Sequence, residues 1–272
     1  MNLSIIPASE GLGPEADRFK DFPAPREMLS LIGHREAETE ILDTLRSGRM
    51  HHAWLIAGEE GIGKATFAYR IARFLLAHPV RRDFSGFRSL AVAADATVAH
   101  QVAAGGHPDL AVIRRTLNDR RTGLLTEIGA GVVRKSLDIF NKTAAAGGYR
   151  IAIVDCCDEL NAHSANALLK TLEEPPANSL FLLVAHRLGA VLPTIRSRCR
   201  LIRLNPLSET DIVRGLAAMP GVEGASDAAR SFAARESAGS LRRALALLDP
   251  AILAFVDSAR TMLDALPHID PA

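Results

Sequence analysis

The sequence predicts an α/β fold, a parallel sheet with helices on both faces, followed by a small three-helix unit. Three observations carry this. Up to about residue 205, short hydrophobic runs of strand length alternate with longer segments of helical periodicity. A glycine-rich loop joins the first of these runs to an apolar helix pattern. After Pro206 the strand-like runs stop and only short amphipathic patterns follow. Strands separated by helices pair in parallel, and a parallel sheet needs cover on both faces.

The elements follow in order. Residues 1–28 carry Pro7, Pro14, Pro23 and Pro25 with little periodicity and read as an irregular arm. Residues 29–205 make up the α/β domain. Within it, 35–48 is a helix with Ile41, Leu42 and Leu45 on one face, Trp54 to Ala57 a buried strand, and Thr66 to Ala77 a buried helix. The alanine-rich stretch 80–108 is ambiguous. Leu110 to Ile113 reads as a strand, and 127–142 as one amphipathic helix with Val132, Leu137 and Phe140 inward. Arg150 to Asp155 is a strand ending in an acid, Ser164 to Leu172 a helix stopped by Pro175 and Pro176, and Leu180 to Ala185 and Leu201 to Leu204 are strands. Residues 206–250 hold three short helices (208–219, 226–237 and 239–248), and 251–272 begins a further helical segment.

Composition narrows the function classes. The 272 residues are 48% hydrophobic with a formal net charge of +1, enough apolar material for one large or two modest domains. A near-neutral chain is no polyelectrolyte, so nucleic-acid contact would need a local basic face. No apolar run approaches the roughly 18 residues a membrane span requires, and the N-terminus has no signal-peptide pattern. Three cysteines, two of them adjacent, form no disulfide framework. A cytoplasmic protein without membrane partners is the expectation.

The strongest motif is Gly58-Glu59-Glu60-Gly61-Ile62-Gly63-Lys64, placed between a strand and a helix. Gly58, Gly61 and Gly63 allow backbone N–H groups to converge on phosphate oxygens, and Lys64 would reach the β/γ-phosphates. The residue after the lysine is Ala65, where a magnesium-binding hydroxyl belongs; Thr66, one position on, is turned by about 100° along a helix. Asp155, closing its hydrophobic strand, fits the second nucleotide motif, and Cys156 stands where a catalytic glutamate would follow. Cys156 and Cys157 read as structural thiols, and no histidine pairs with a carboxylate at catalytic spacing.

Further residues carry a resemblance. Ser164-Ala-Asn-Ala-Leu-Leu-Lys170-Thr-Leu-Glu-Glu-Pro-Pro176 and Ser197-Arg198-Cys199 resemble signatures of the bacterial AAA+ clamp-loader family, and occur in its order with the two nucleotide motifs. Gly239-Ser240-Leu241-Arg242 resembles the sensor-2 segment of the lid. The degenerate motifs and His107-Pro108-Asp109-Leu110 are similar to the delta-prime branch of DNA polymerase III loaders. The resemblance spans about residues 29–250.

What the resemblance implies is a subunit of a pentameric loader that places the sliding clamp on primed DNA with ATP, alongside gamma/tau and delta subunits. Arg198 would be an arginine finger completing a neighbour's ATP site in trans. Gly58, Gly61, Gly63, Lys64, Thr66, Asp155 and Arg242 would form a degenerate nucleotide site. Ala65, Cys156 and His186, the last where an active subunit has a small hydroxyl residue, argue against turnover here; weak ATP or ADP binding is the most expected. The alternative is an active gamma/tau-like ATPase. The stretch 86–106 has no cysteine, so no zinc is expected, and alanine and valine packing should replace it. The family's collar domain is expected to be truncated.

Overall fold

A computed structural model describes residues 16–80, 83–118, 120 and 123–264. The elements are α1 (Arg35–Arg46), β1 (Ala53–Ala57), α2 (Lys64–Ala77), α3 (Thr97–Ala103), β2 (Leu110–Arg114), α4 (Ala130–Leu137), β3 (Arg150–Asp155), α5 (Ala162–Glu173), β4 (Ser179–Ala185), α6 (Pro193–Arg196), β5 (Arg200–Arg203), α7 (Glu209–Ala217), α8 (Asp227–Glu236), α9 (Leu241–Leu247) and α10 (Pro250–Asp264).

The five strands form one parallel sheet in the order β2-β3-β4-β1-β5. Side chains alternate across it, as the two-residue period of a strand requires. Trp54, Ile56, Ile151, Ile153, Leu180, Leu182 and Val184 face α1 and α2. Leu55, Ala152, Val154, Phe181, Leu183 and Ala185 face α4, α5 and α6. Both faces are apolar because both are covered, which is why these strands read as continuous hydrophobic runs. The structure is thus a parallel α/β unit, with the glycine-rich loop between β1 and α2, followed by helices. The helices α7 to α9 enclose a third core around Ile212, Leu216, Ala233 and Ala244, to which the arm adds Met28 and, at its edge, Phe19 and Phe22. Each of α7, α8 and α9 is opened by a serine cap: Ser208, Ser226 and Ser240 accept from the N–H three residues on.

Several expectations are corrected. The helix expected over 127–142 starts only at Ala130, because Ile128 forms a parallel bridge to Leu160 and Gly129 is extended. It tightens into a 3₁₀ turn over Asp138–Asn141. Val132, Leu137 and Phe140 do face the core, the first two half-buried; the fully buried residue of α4 is Val133, which the expectation left out. The ambiguous 80–108 stretch contains α3, whose Ala99 and Ala103 pack on Leu29. Val92 ahead of α3, and Val98 and Val102 within it, also pack against the large core. Ahead of it, Phe74 of α2 meets Phe84 at 5.8 Å and Phe87 edge-on at 4.9 Å, with the His78 ring 4.7 Å from Phe87. Among the described residues, no group of three or more His, Cys, Asp or Glu side chains is arranged to hold a metal ion.

The arm over residues 16–28 is not loose. Buried arginines of α2 grip its carbonyls: Arg73 Nη2 donates to Arg26 O at 2.7 Å, and Arg70 Nη1 to Leu29 O just beyond it at 2.7 Å. Arg26 Nε in turn donates to Ala103 O at 2.9 Å. The arm residues 1–15 and the terminal residues 265–272 lie outside the described part; α10, preceding the latter, leaves Phe255 and Met262 exposed.

Candidate functional site

The sheet order decides where the motifs meet. β1 lies beside β4, and β4 beside β3, so the loops after all three open into one crevice at the strands' C-terminal ends. This is where parallel α/β sheets hold ligands. The pocket is lined by Gly61, Gly63, Lys64, Ala65 and Thr66 from the glycine loop, by Asp155 and Cys156, by His186, and by Arg242 of α9.

The loop has a left-handed backbone at Gly61 (φ 80°) and Gly63 (φ 103°), which only glycine adopts without strain. Its carbonyls are turned outward and held. Lys64 Nζ donates to Glu59 O. Ser240 Oγ donates to Glu60 O at 2.8 Å, the Arg242 backbone N–H to Gly61 O at 3.3 Å, and His34 Nε2 to Ile62 O at 2.6 Å. The lid and the start of α1 therefore fix the loop from outside. A Cβ on Gly61 would sit 2.3 Å from Ser240 Oγ, so the lid also requires the glycine sterically.

Lys64 is buried, and burial lowers its pKa. Asp155 is buried as well; desolvation, then the nearby Asp17 charge, push its carboxyl up to about 6. The Cys156 thiol donates to Asp155 Oδ1 at 3.3 Å and lies 3.4 Å from His186 Nε2. Burial, then Asp155, push that thiol far above its ordinary range, so it is no base at neutral pH. The His186 ring is held below its ordinary value by burial and by Lys64, and the residue's backbone N–H donates to Asp158 Oδ1 at 3.0 Å. At the three positions where the family resemblance leads one to expect a hydroxyl, a carboxylate and a small hydroxyl residue, the pocket thus presents Ala65, a protonated thiol and an imidazole.

Of the residues singled out from sequence, Gly61, Gly63, Lys64, Thr66, Asp155 and Arg242 come together here. Gly58 does not line the pocket. A Cβ there would lie 2.6 Å from Leu204 O, so it is a packing glycine between β1 and β5. Arg198 lies elsewhere, on the α6–β5 turn. Its Nη2 is 2.7 Å from Glu173 Oε1 at the end of α5, and its Nη1 donates to Thr194 O at 2.9 Å. It is about a third exposed and reaches no part of this chain's own pocket.

Sequence reasoning missed the arm's part in the site. Asp17, Phe19, Phe22, Pro23, Pro25 and Met28 all line the pocket. Arg242 stacks over Phe19 at 5.0 Å, Lys20 pairs with Asp249 at 2.6 Å, and Asp17 pairs with Arg114. The signal available was Phe19 and Phe22, two large apolar residues in a segment otherwise read as irregular. The Cys156–His186 contact was equally illegible, since thirty residues separate the two in sequence.

The chain was compared with known proteins. A family model described as DNA polymerase III, delta subunit, matches residues 33–208, more than half of the chain. The DNA polymerase III subunit gamma of Buchnera aphidicola subsp. Schizaphis graminum is 32% identical over 84% of this chain and 59% of its own length. The DNA polymerase III subunit delta' of Escherichia coli K12 is 34% identical over 76% of this chain and 58% of its own length. The chain therefore spans less than two thirds of these relatives. Among solved structures, the Thermotoga maritima RuvB Holliday junction branch migration motor covers 86% of this chain and 65% of that one, at 18% identity and a TM-score of 0.48. No helix among the described residues is long and apolar enough to cross a membrane.

Proposed function

The chain belongs to the DNA polymerase III delta-subunit family, and from that premise we propose that it is a delta-prime-like clamp-loader subunit without ATP turnover of its own. In this reading it works in the cytoplasm, within an assembly of gamma/tau and delta subunits that places the sliding clamp on primed DNA. It presents Arg198 to a neighbour's ATP, where a guanidinium neutralises charge on the transferred phosphoryl group. The observation that supports it best is the pocket's own chemistry. Lys64 and Asp155 are present, and Ala65, Cys156 and His186 occupy the positions that hydrolysis requires. The position of Arg198, away from this pocket and partly exposed, fits a role toward another subunit. No bound metal is needed for that role. Nucleotide at Lys64 would be weak and unproductive.

The second reading, an active gamma/tau-like ATPase, has a specific observation behind it: the gamma and tau relatives match as much of this chain as the delta' relatives do, or more. Phosphate release from Mg²⁺-ATP by the isolated chain separates the two. The proposal expects none above background, and turnover abolished by Lys64→Ala would establish the second reading. Reconstitution with the other subunits, clamp and primed DNA tests the trans role: Arg198→Ala should lower the assembly's ATPase without dissolving the assembly.

A further inference from the structure

The glycine loop carries two consecutive acids, Glu59 and Glu60, at the place where a nucleotide's phosphates would lie against backbone N–H groups. Neither is idle. Glu60 Oε1 is 3.1 Å from Arg242 Nη1, and Glu59 Oε2 is 3.8 Å from Arg243 Nη1. Both arginines come from the first turn of α9, whose Ser240 cap and Arg242 N–H already bind the carbonyls of Glu60 and Gly61. The loop's lysine is likewise engaged from within, on Glu59 O. The cations that would meet a phosphate are thus matched, one by one, with acceptors belonging to the loop itself. Asp17 and Asp155 add two further carboxylates to the pocket wall.

We propose that Glu59 and Glu60 are built-in competitors for a nucleoside diphosphate or triphosphate: their carboxylates hold Arg242 and Arg243 in the place of phosphate, and so set the site's weak affinity. The inference rests on the reading of this site as a nucleotide pocket that does not turn over. Like charge next to the phosphates raises the cost of binding, and a cation already paired must exchange partners before it can help. The pairs are half exposed, so each one's effect is modest and salt-sensitive. Neutralising both should be read as a change of about tenfold rather than thousands.

The test titrates the full 272-residue chain with mant-ADP, following fluorescence anisotropy in low and high salt. The Glu59→Gln, Glu60→Gln double variant is expected to bind mant-ADP about tenfold more tightly than the wild type in low salt. The gain should shrink in high salt and vanish when Lys64→Ala is added. Affinities within twofold of each other, no binding by either protein, or a gain that survives Lys64→Ala would overturn the proposal. Both substitutions are at exposed side chains, and a thermal melt of each variant verifies that it is folded. Phosphate release measured on the same samples keeps the two ideas apart: turnover by the wild type would refute the non-hydrolysing reading and leave the competition result standing on its own.

Discussion

The Arg198 guanidinium and the Glu173 carboxylate are 2.7 Å apart, joining the Ser-Arg-Cys turn to the C-terminal end of α5. Two segments that the sequence marks separately are thus one surface. The pair is partly exposed, so it contributes about 0–1 kcal/mol to folding. Arg198→Ala should therefore leave the isolated chain's melting temperature within a few degrees of the wild type. Arg198→Lys should lower the reconstituted assembly's ATPase as Arg198→Ala does, because a lysine lacks the planar fork that spans two oxygens. Recovery of activity by lysine would argue against a finger.

Gly61→Ala should destabilise the protein by about 2 kcal/mol or more. The new methyl meets Ser240 Oγ at 2.3 Å and Arg242 Cβ at 2.5 Å, on a backbone at φ 80°. Calorimetry should show the melting temperature falling by several degrees. A change of less than one degree would mean that the lid yields at no cost.

Asp155 gives a pH-dependent expectation. Its pKa rises from 3.8 unfolded to about 6 folded, so the folded state holds this proton more tightly. Between those values, stability from this group increases as pH falls; above 6 the ionised buried carboxylate is a fixed cost. Asp155→Asn removes that cost. It should stabilise the chain by roughly 1–3 kcal/mol at pH 8, with the gain fading as pH drops through 6 toward 4. Urea titrations of both proteins at pH 8, 6 and 4.5 measure this, and a gain independent of pH would contradict it.

Phe74 is fully buried at the centre of the ring cluster with His78, Phe84 and Phe87. Phe74→Ala should cost about 3–5 kcal/mol. Added zinc should not restore the lost stability, because the cluster offers one imidazole, His78, and not the four ligands a structural zinc takes.

Much of this fold was legible because local and global signals agree. β1, β3 and β4 are buried on both faces and so are apolar throughout, apart from Arg150 and Asp155 at the ends of β3 and Ser179 at the start of β4; α5 ends at two prolines; the lid helices begin at serines. The errors lie where tertiary contact overrides local pattern. Ile128 and Gly129 look like the start of a helix, and they are extended because Leu160 offers a bridge. The aromatic cluster was not foreseen because Phe84 and Phe87 lie inside the ambiguous 80–108 stretch, while the rings they meet, Phe74 and His78, lie before it. In the site, the loop and Asp155 were readable from motif spacing, and Arg242 only from the resemblance of its segment to sensor 2. The arm's contribution was not, because its carbonyls are gripped by Arg70 and Arg73 of α2, and no spacing rule links those positions.

Ser240 makes two hydrogen bonds with one hydroxyl: it accepts from Arg243 N at 3.3 Å to open α9, and it donates to Glu60 O at 2.8 Å to hold the loop. Starting the helix and docking it are therefore a single event. Pulling the lid away from the loop would also fray the first turn of α9, so the two units have no free hinge at this seam. Heat should melt them together in one cooperative transition.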